Sequence, residues 1–170
     1  MRLERGIFMN EQIQAVVDLL QAKNIDYSII EHIPVYTIDE ILALDLPEAN
    51  LIAKNLFIRD DKKKNYYIIV VAQDKKVNLK ALKEKLNSRP LGFVSEKDMW
   101  NILKLTKGAV TPFGILNDEN CIVKVVIDKI FENTNIAVHP NSNTASVWLK
   151  TTDLVSIIKE HGNLVEFMDI

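Results

Sequence analysis

The chain has 170 residues, 48% apolar and 26% charged, enough to bury the core of one compact domain and excluding a disordered chain. A single cysteine, Cys121, excludes an internal disulfide or a multi-thiolate metal site and points to a reducing compartment, and no apolar run approaches the roughly 20 residues of a membrane helix. The net charge of −2 argues against a general nucleic-acid binder, yet residues 54–89 carry eleven Lys or Arg against four acids, +7, and the remainder carries −9; such segregation is either a polyanion-binding face or, more plainly, a solvated turn followed by a Lys-rich helix.

Residues 1–8 are charged and have no apolar h-region, so no secretory signal is expected, and Met9 is an alternative start. Residues 1–9 are read as an extension outside a single domain spanning 10–170. From Asn10 to Lys23, Ile13, Val16, Val17 and Leu20 fall at the spacing of an amphipathic helix, ended by Asn24. Residues 25–30 read as a strand. Thr37-Ile38-Asp39-Glu40 has capping-box spacing, predicting a helix from Thr37 through Leu44. Residues 55–59 and 66–72 are β-rich runs joined by a polar tract, predicting an antiparallel pair whose second strand is central because it is apolar throughout. Asn78 and Ser95 each open a helix, the first with Leu79, Leu82 and Leu86 on one side, the second with Met99, Ile102 and Leu103 buried.

Residues 122–128, 136–139 and 146–149 are further strands bounded by Asn, Asp or Pro. A last helix follows, capped by Thr151 or Thr152 and closed by Gly162, with a terminal strand at 164–167. Strands in pairs and triplets between helices predict a single α+β domain with a mixed, largely antiparallel sheet flanked by helices.

Phosphate-binding glycine loops, zincin helices and nucleophile elbows are all missing from the sequence. His32 and His139 beside prolines lack a third metal ligand, and Cys121 reads as a packed small hydrophobe. Two tracts are costly for structure alone. Gly108-Ala109-Val110-Thr111-Pro112-Phe113-Gly114 combines small residues with a proline, so its amides can hold a developing oxyanion, or it is a tight structural turn. His139-Pro140-Asn141-Ser142-Asn143-Thr144-Ala145-Ser146 has eight residues without an acid, Lys or Arg, rich in donors and acceptors, or is a cluster of Asx and ST turns. Lys54 enters an apolar strand, where its ammonium can hold a phosphate or carbonyl oxygen.

Together with Lys54-Asn55-Leu56-Phe57-Ile58-Arg59 and the upstream Glu31-His32-Ile33-Pro34-Val35-Tyr36-Thr37, these tracts resemble, in order and spacing, the freestanding prolyl-tRNA editing proteins, the ProX branch of the YbaK/aminoacyl-tRNA deacylase superfamily. The resemblance runs from about residue 10 to the C-terminus. It implies the YbaK/ProX-like editing fold and hydrolysis of the ester joining a wrong amino acid, chiefly alanine, to proline tRNA. Ser146 stands where Thr is common in the branch.

On that resemblance Lys54, Gly108, Ala109, Val110, Thr111 and His139 are the expected catalytic set, with the amides of Ala109 to Thr111 at the oxyanion. His32, Tyr36, Thr37, Asn55, Pro112, Phe113, Gly114, Asn141, Asn143 and Thr144 are expected at the substrate, and Lys62, Lys63, Lys64, Lys75 and Lys76 on the tRNA. The implied partner is the acceptor end of aminoacylated proline tRNA, with prolyl-tRNA synthetase as a transient one. No cofactor, metal or membrane is expected, and the location is cytoplasmic. An aminoacyl ester is already activated, so orienting a water and stabilising the oxyanion suffice without a nucleophilic triad. The alternatives are a cysteinyl-tRNA-Pro deacylase and a non-catalytic module that binds aminoacyl-tRNA or synthetase.

Overall fold

The computed structural model describes residues 10–170, and the expected extension at 1–9 lies outside the described residues. Helix α1 (Glu11–Ala22) starts where Asn10 accepts a hydrogen bond from the Ile13 N–H at 2.9 Å and buries its apolar stripe. Asn24 adopts left-handed backbone (φ 52°) and turns the chain into β1 (Tyr27–Glu31). The Thr37 capping box forms, but α2 runs only over Ile38–Leu42, two residues short of the expected end, and gives way to turns.

Strands β2 (Ala53–Asp60) and β3 (Tyr66–Ala72) pair antiparallel, Lys54 opposite Val71. Helix α3 (Leu79–Lys85) is capped by Asn78, β4 is Leu91–Phe93, and α4 (Glu96–Leu103) is capped by Ser95. A 3-10 helix, Pro112–Asn117, precedes β5 (Val123–Asp128). Strands β6 (Asn135–Val138) and β7 (Ala145–Lys150), helix α5 (Thr151–His161) and β8 (Val165–Met168) complete the order.

The architecture is α+β, but the strands form two sheets rather than the one expected. A three-stranded antiparallel sheet has the order β1-β7-β6, and a five-stranded mixed sheet the order β4-β2-β3-β5-β8, with β5 and β8 parallel to their neighbours. Sheet membership depends on partners far apart in sequence, which periodicity does not encode. β3 is central as expected, with Ile68, Ile69, Val70 and Val71 wholly buried, each contributing about 1.5–3 kcal/mol of apolar burial. The main core joins residues of both sheets, such as Phe57 and Val147, to α1 and α5.

Neither Thr151 nor Thr152 caps α5: Lys150 is its N-cap without a side-chain bond, and Thr151 is the buried first residue. Gly162 closes the helix at φ 112° as expected. Strand β4 covers β2 only at residues 58–60, and just before β2 Ile52 forms a parallel bridge to Ala137 of β6, so the start of β2 lies where the two sheets meet. No described helix is long and apolar enough to cross a membrane.

Candidate active site

At this junction lies a pocket of about 320 Å³. The start of β2 supplies Lys54 and Asn55, β6 supplies Ala137 and Val138, and His139 and Ser146 flank the β6–β7 connection. The segment before and within α2 adds Val35, Tyr36, Thr37 and Ile41, and the loop after α4 adds Gly108 and Val110. The lining contains Lys54 as its one permanent charge and no carboxylate. Lys54, at the second position of β2 and half-buried, donates through Nζ to the carbonyl of Lys75, and it forms no ion pair with a described residue.

His139 donates from Nδ1 to the Ala145 carbonyl at 2.9 Å, because a carbonyl oxygen can only accept. Nε2 is therefore the lone-pair nitrogen of the neutral ring. Burial pushes the imidazole below its ordinary value of 6.5; the Ala145 carbonyl opposes that, and nearby His32 adds to it. At neutral pH the ring is uncharged. The Asn55 side-chain oxygen is buried without a described partner, a costly arrangement unless a ligand donates to it.

Gly108 is required where it stands: φ is +85°, and a Cβ would lie 2.9 Å from the Tyr36 ring. The glycine thus brings the loop against the opposite wall of the pocket.

The structure separates the expected site residues into those that border the pocket and those that hold it. Lys54, Gly108, Val110, His139, Tyr36, Thr37 and Asn55 border it. Ala109 is buried and its amide already bonds the Thr106 carbonyl, so it is not an oxyanion donor; Val110, whose N–H has no partner among the described residues, keeps that capacity. Thr111 is fully buried, donating to the His139 carbonyl at 2.5 Å and capping the 3-10 helix at Phe113 N. Pro112, Phe113 and Gly114 form that helix inside the core; a Cβ on Gly114 would meet Leu105 at 2.8 Å. These four do not line the pocket.

Asn141, Asn143 and Thr144 are ties rather than lining. Asn141 donates to the Phe113 carbonyl at 3.3 Å, Asn143 to the Val35 carbonyl at 2.9 Å, and the Thr144 carbonyl accepts from His32 N–H at 2.8 Å. The polar tract knits three segments into one wall, which is the turn-cluster reading. His32 is set behind the lining, its ring centroid 6.2 Å from that of His139. Ile38, Ile41, Ile52, Ala137 and Ser146, which sequence reasoning did not assign to the pocket, belong to it. The first four are apolar residues in core-like spacing, and no sequence signal distinguishes a pocket wall from a core.

The basic residues also divide. Lys62, Lys63 and Lys64 lie in the β2–β3 turn, roughly 25 Å from Lys54 at about 3.3 Å per strand residue, and Lys63 pairs with Asp98 at 3.0 Å. Lys75 is tied to buried Asp128 at 2.6 Å and is not a free cation, whereas neighbouring Lys76 is exposed. Among the described residues no three His, Cys, Asp or Glu side chains are grouped to hold a metal ion.

Residues 32–157 match the family model of the aminoacyl-tRNA editing domain, and the chain belongs to that family. The match takes in the His32, Lys54, Gly108 and His139 tracts described above. Within the class, the chain is 46% identical over 158 residues to the prolyl-tRNA editing protein ProX of Acetoanaerobium sticklandii, covering 92% of this chain and 96% of that protein. It is 33% identical over 149 residues to the mouse prolyl-tRNA synthetase associated domain-containing protein 1, covering 85% of this chain and 88% of that one. A crystal structure described as a candidate trans-editing enzyme for prolyl tRNA synthetase shares the fold at a TM-score of 0.69, with 16% identity over 94% of this chain and 97% of the other.

Proposed function

We propose that the protein is a trans-editing deacylase that hydrolyses mischarged proline tRNA, with alanyl-tRNA-Pro as its principal substrate and no metal in the mechanism. The observation that carries this reading is the pairing, across one small apolar-walled pocket, of an ammonium without a counter-carboxylate and a neutral imidazole with an available nitrogen. Lys54 holds the ester carbonyl or the terminal ribose and phosphate oxygens, the groups that gain or carry negative charge. The unpartnered Asn55 oxygen receives the substrate's α-ammonium, and the Val110 amide supports the oxyanion. His139 Nε2 accepts a proton from the attacking water. Apolar Val35, Ile41 and Val138 exclude bulk water.

The acceptor end of the tRNA enters this pocket, and prolyl-tRNA synthetase is a transient partner from which mischarged tRNA is received. The test is a panel of proline tRNAs charged with Pro, Ala, Cys or Ser, scored for release after dialysis against a strong chelator. Release led by alanine supports the reading. Release led by cysteine replaces the substrate, loss that zinc restores overturns the metal-free mechanism, and no release at all leaves a binding module.

A further inference from the structure

Ser146 has no role in the mechanism above, although it borders the pocket and is only 2% exposed. Its hydroxyl oxygen lies 3.0 Å from Nε2 of His32, 114 residues away in sequence. The other nitrogen of that ring, Nδ1, is 2.8 Å from the Ile33 carbonyl oxygen. A carbonyl accepts only, so Nδ1 carries the ring proton, and in the neutral ring Nε2 must accept. The Ser146 hydroxyl therefore donates to His32, and what it can offer the pocket is lone pairs. One residue earlier, the Ala145 carbonyl fixes His139 in the same tautomer, so Nε2 is its lone-pair nitrogen, and both His139 and Ser146 border the pocket.

A hydrolytic water has two hydrogens to place and one lone pair that must reach the ester carbon. Two acceptors on one pocket can orient it. A hydroxyl free to rotate would also donate to the water and occupy the lone pair that has to attack.

We propose that Ser146 Oγ and His139 Nε2 hold the attacking water by its two hydrogens, and that His32 is a positioning residue that prevents Ser146 from donating. The inference rests on the deacylase reading of this pocket. The water oxygen bonds to the ester carbonyl carbon as the proton on its His139 side passes to Nε2. The bond from that carbon to the ribose oxygen then breaks, and the proton on Nε2 goes to the leaving oxygen. Free amino acid and uncharged tRNA result, and His139 returns to its neutral form. Ser146 keeps its own proton throughout and forms no acyl-enzyme.

The experiment compares Ser146→Ala, Ser146→Thr, His32→Leu and His32→Gln in steady-state and single-turnover release from alanyl-tRNA-Pro, with thermal melting of each. Ser146→Ala should lower kcat roughly 10²-fold, the scale of a misplaced reactant, with KM within about twofold. Ser146→Thr retains the hydroxyl and should stay within about threefold of the unaltered chain. His32→Gln, whose side-chain oxygen can accept from Ser146, should keep most of the rate, while His32→Leu should fall with Ser146→Ala. Because His32 acts through Ser146, the Ser146→Ala/His32→Leu double variant should be no slower than Ser146→Ala alone.

Should His32→Leu fail to fold, the Ala and Thr variants of Ser146 decide the matter. A folded Ser146→Ala chain with unaltered kcat overturns the inference and leaves the deacylase reading standing. Additive losses in the double variant overturn the positioning role of His32, and an acyl adduct on Ser146 seen by mass spectrometry overturns the water mechanism. Absence of release by the unaltered chain overturns the deacylase reading and this inference with it.

Discussion

Lys54 has a carbonyl partner and no acid, so its ammonium keeps most of its attraction for an anionic or polarised oxygen in the pocket. Lys54→Ala should lower single-turnover deacylation by about 10²- to 10³-fold, the cost of removing a principal transition-state electrostatic contact. Stability should change by only about 1 kcal/mol, since a single hydrogen bond is lost. Release assays with thermal melting check both, and a folded variant with near-normal turnover would remove Lys54 from the mechanism. His139 gives a pH signature. Its native value is depressed by burial below the ordinary 6.5, so between the two values the unfolded chain binds a proton that the folded chain does not. Stability contributed by the neutral ring is complete above 6.5 and is lost as the pH falls through the window beneath it. His139→Gln should flatten the decline of melting temperature as the pH falls below 6.5, and an unchanged slope in that variant assigns the decline to other groups.

Among the elements, the β2–β3 hairpin brings a pocket and a basic turn to opposite ends of one rigid unit. If the turn meets tRNA phosphates, reversing Lys62 and Lys64 to Glu should raise KM and reduce the log–log salt slope of binding by roughly 1.5, at about 0.7–0.9 per phosphate. The distance from Lys54 leaves kcat unchanged. Filter binding across a salt series checks this, and an identical slope makes the turn a solvated one. The hairpin was also legible in the sequence, because continuous apolar runs bounded by polar residues are local signals, as are the caps Thr37, Asn78 and Ser95. Strand β4 was not, since Leu91-Gly92-Phe93 is too short for any periodicity and is fixed by pairing with β2. The polar tracts fall on the candidate pocket, through Gly108, Val110, His139 and Ser146, and on its supports. Individual residues in them divide: Thr111 and Asn143 spend hydrogen bonds within the fold, and Asn141 donates within it while its side-chain oxygen has no described partner. A donor serving a wall and a donor serving a ligand look alike in sequence. The link from His32 to Ser146 is readable only after the three-stranded sheet brings β1 beside β7.

At the scale of the whole molecule, two sheets and the loop after α4 contribute to one pocket, and on the deacylase reading that pocket sets the choice of amino acid. The pocket of about 320 Å³ is walled by Val35, Ile38, Ile41, Val110, Ala137 and Val138, and Gly108 brings its loop close against Tyr36. A synthetase site built for proline excludes the smaller alanine by only about 1–3 kcal/mol, whereas a second site can reject the larger ring sterically. Alanyl-tRNA-Pro should therefore be cleaved at least about 10² times faster than prolyl-tRNA-Pro. Ala109 and Phe113 lie behind the surface, so the sieve is adjusted at Val110. Val110→Ala should narrow the preference for alanine by about tenfold, chiefly by admitting proline, and Val110→Phe should slow alanine release while tRNA affinity holds. Parallel time courses on the two esters, with binding measured on uncharged tRNA, separate these effects. Equal cleavage of both esters by the unaltered chain would defeat the editing reading, because an enzyme that destroys the correct product as fast as the wrong one corrects nothing.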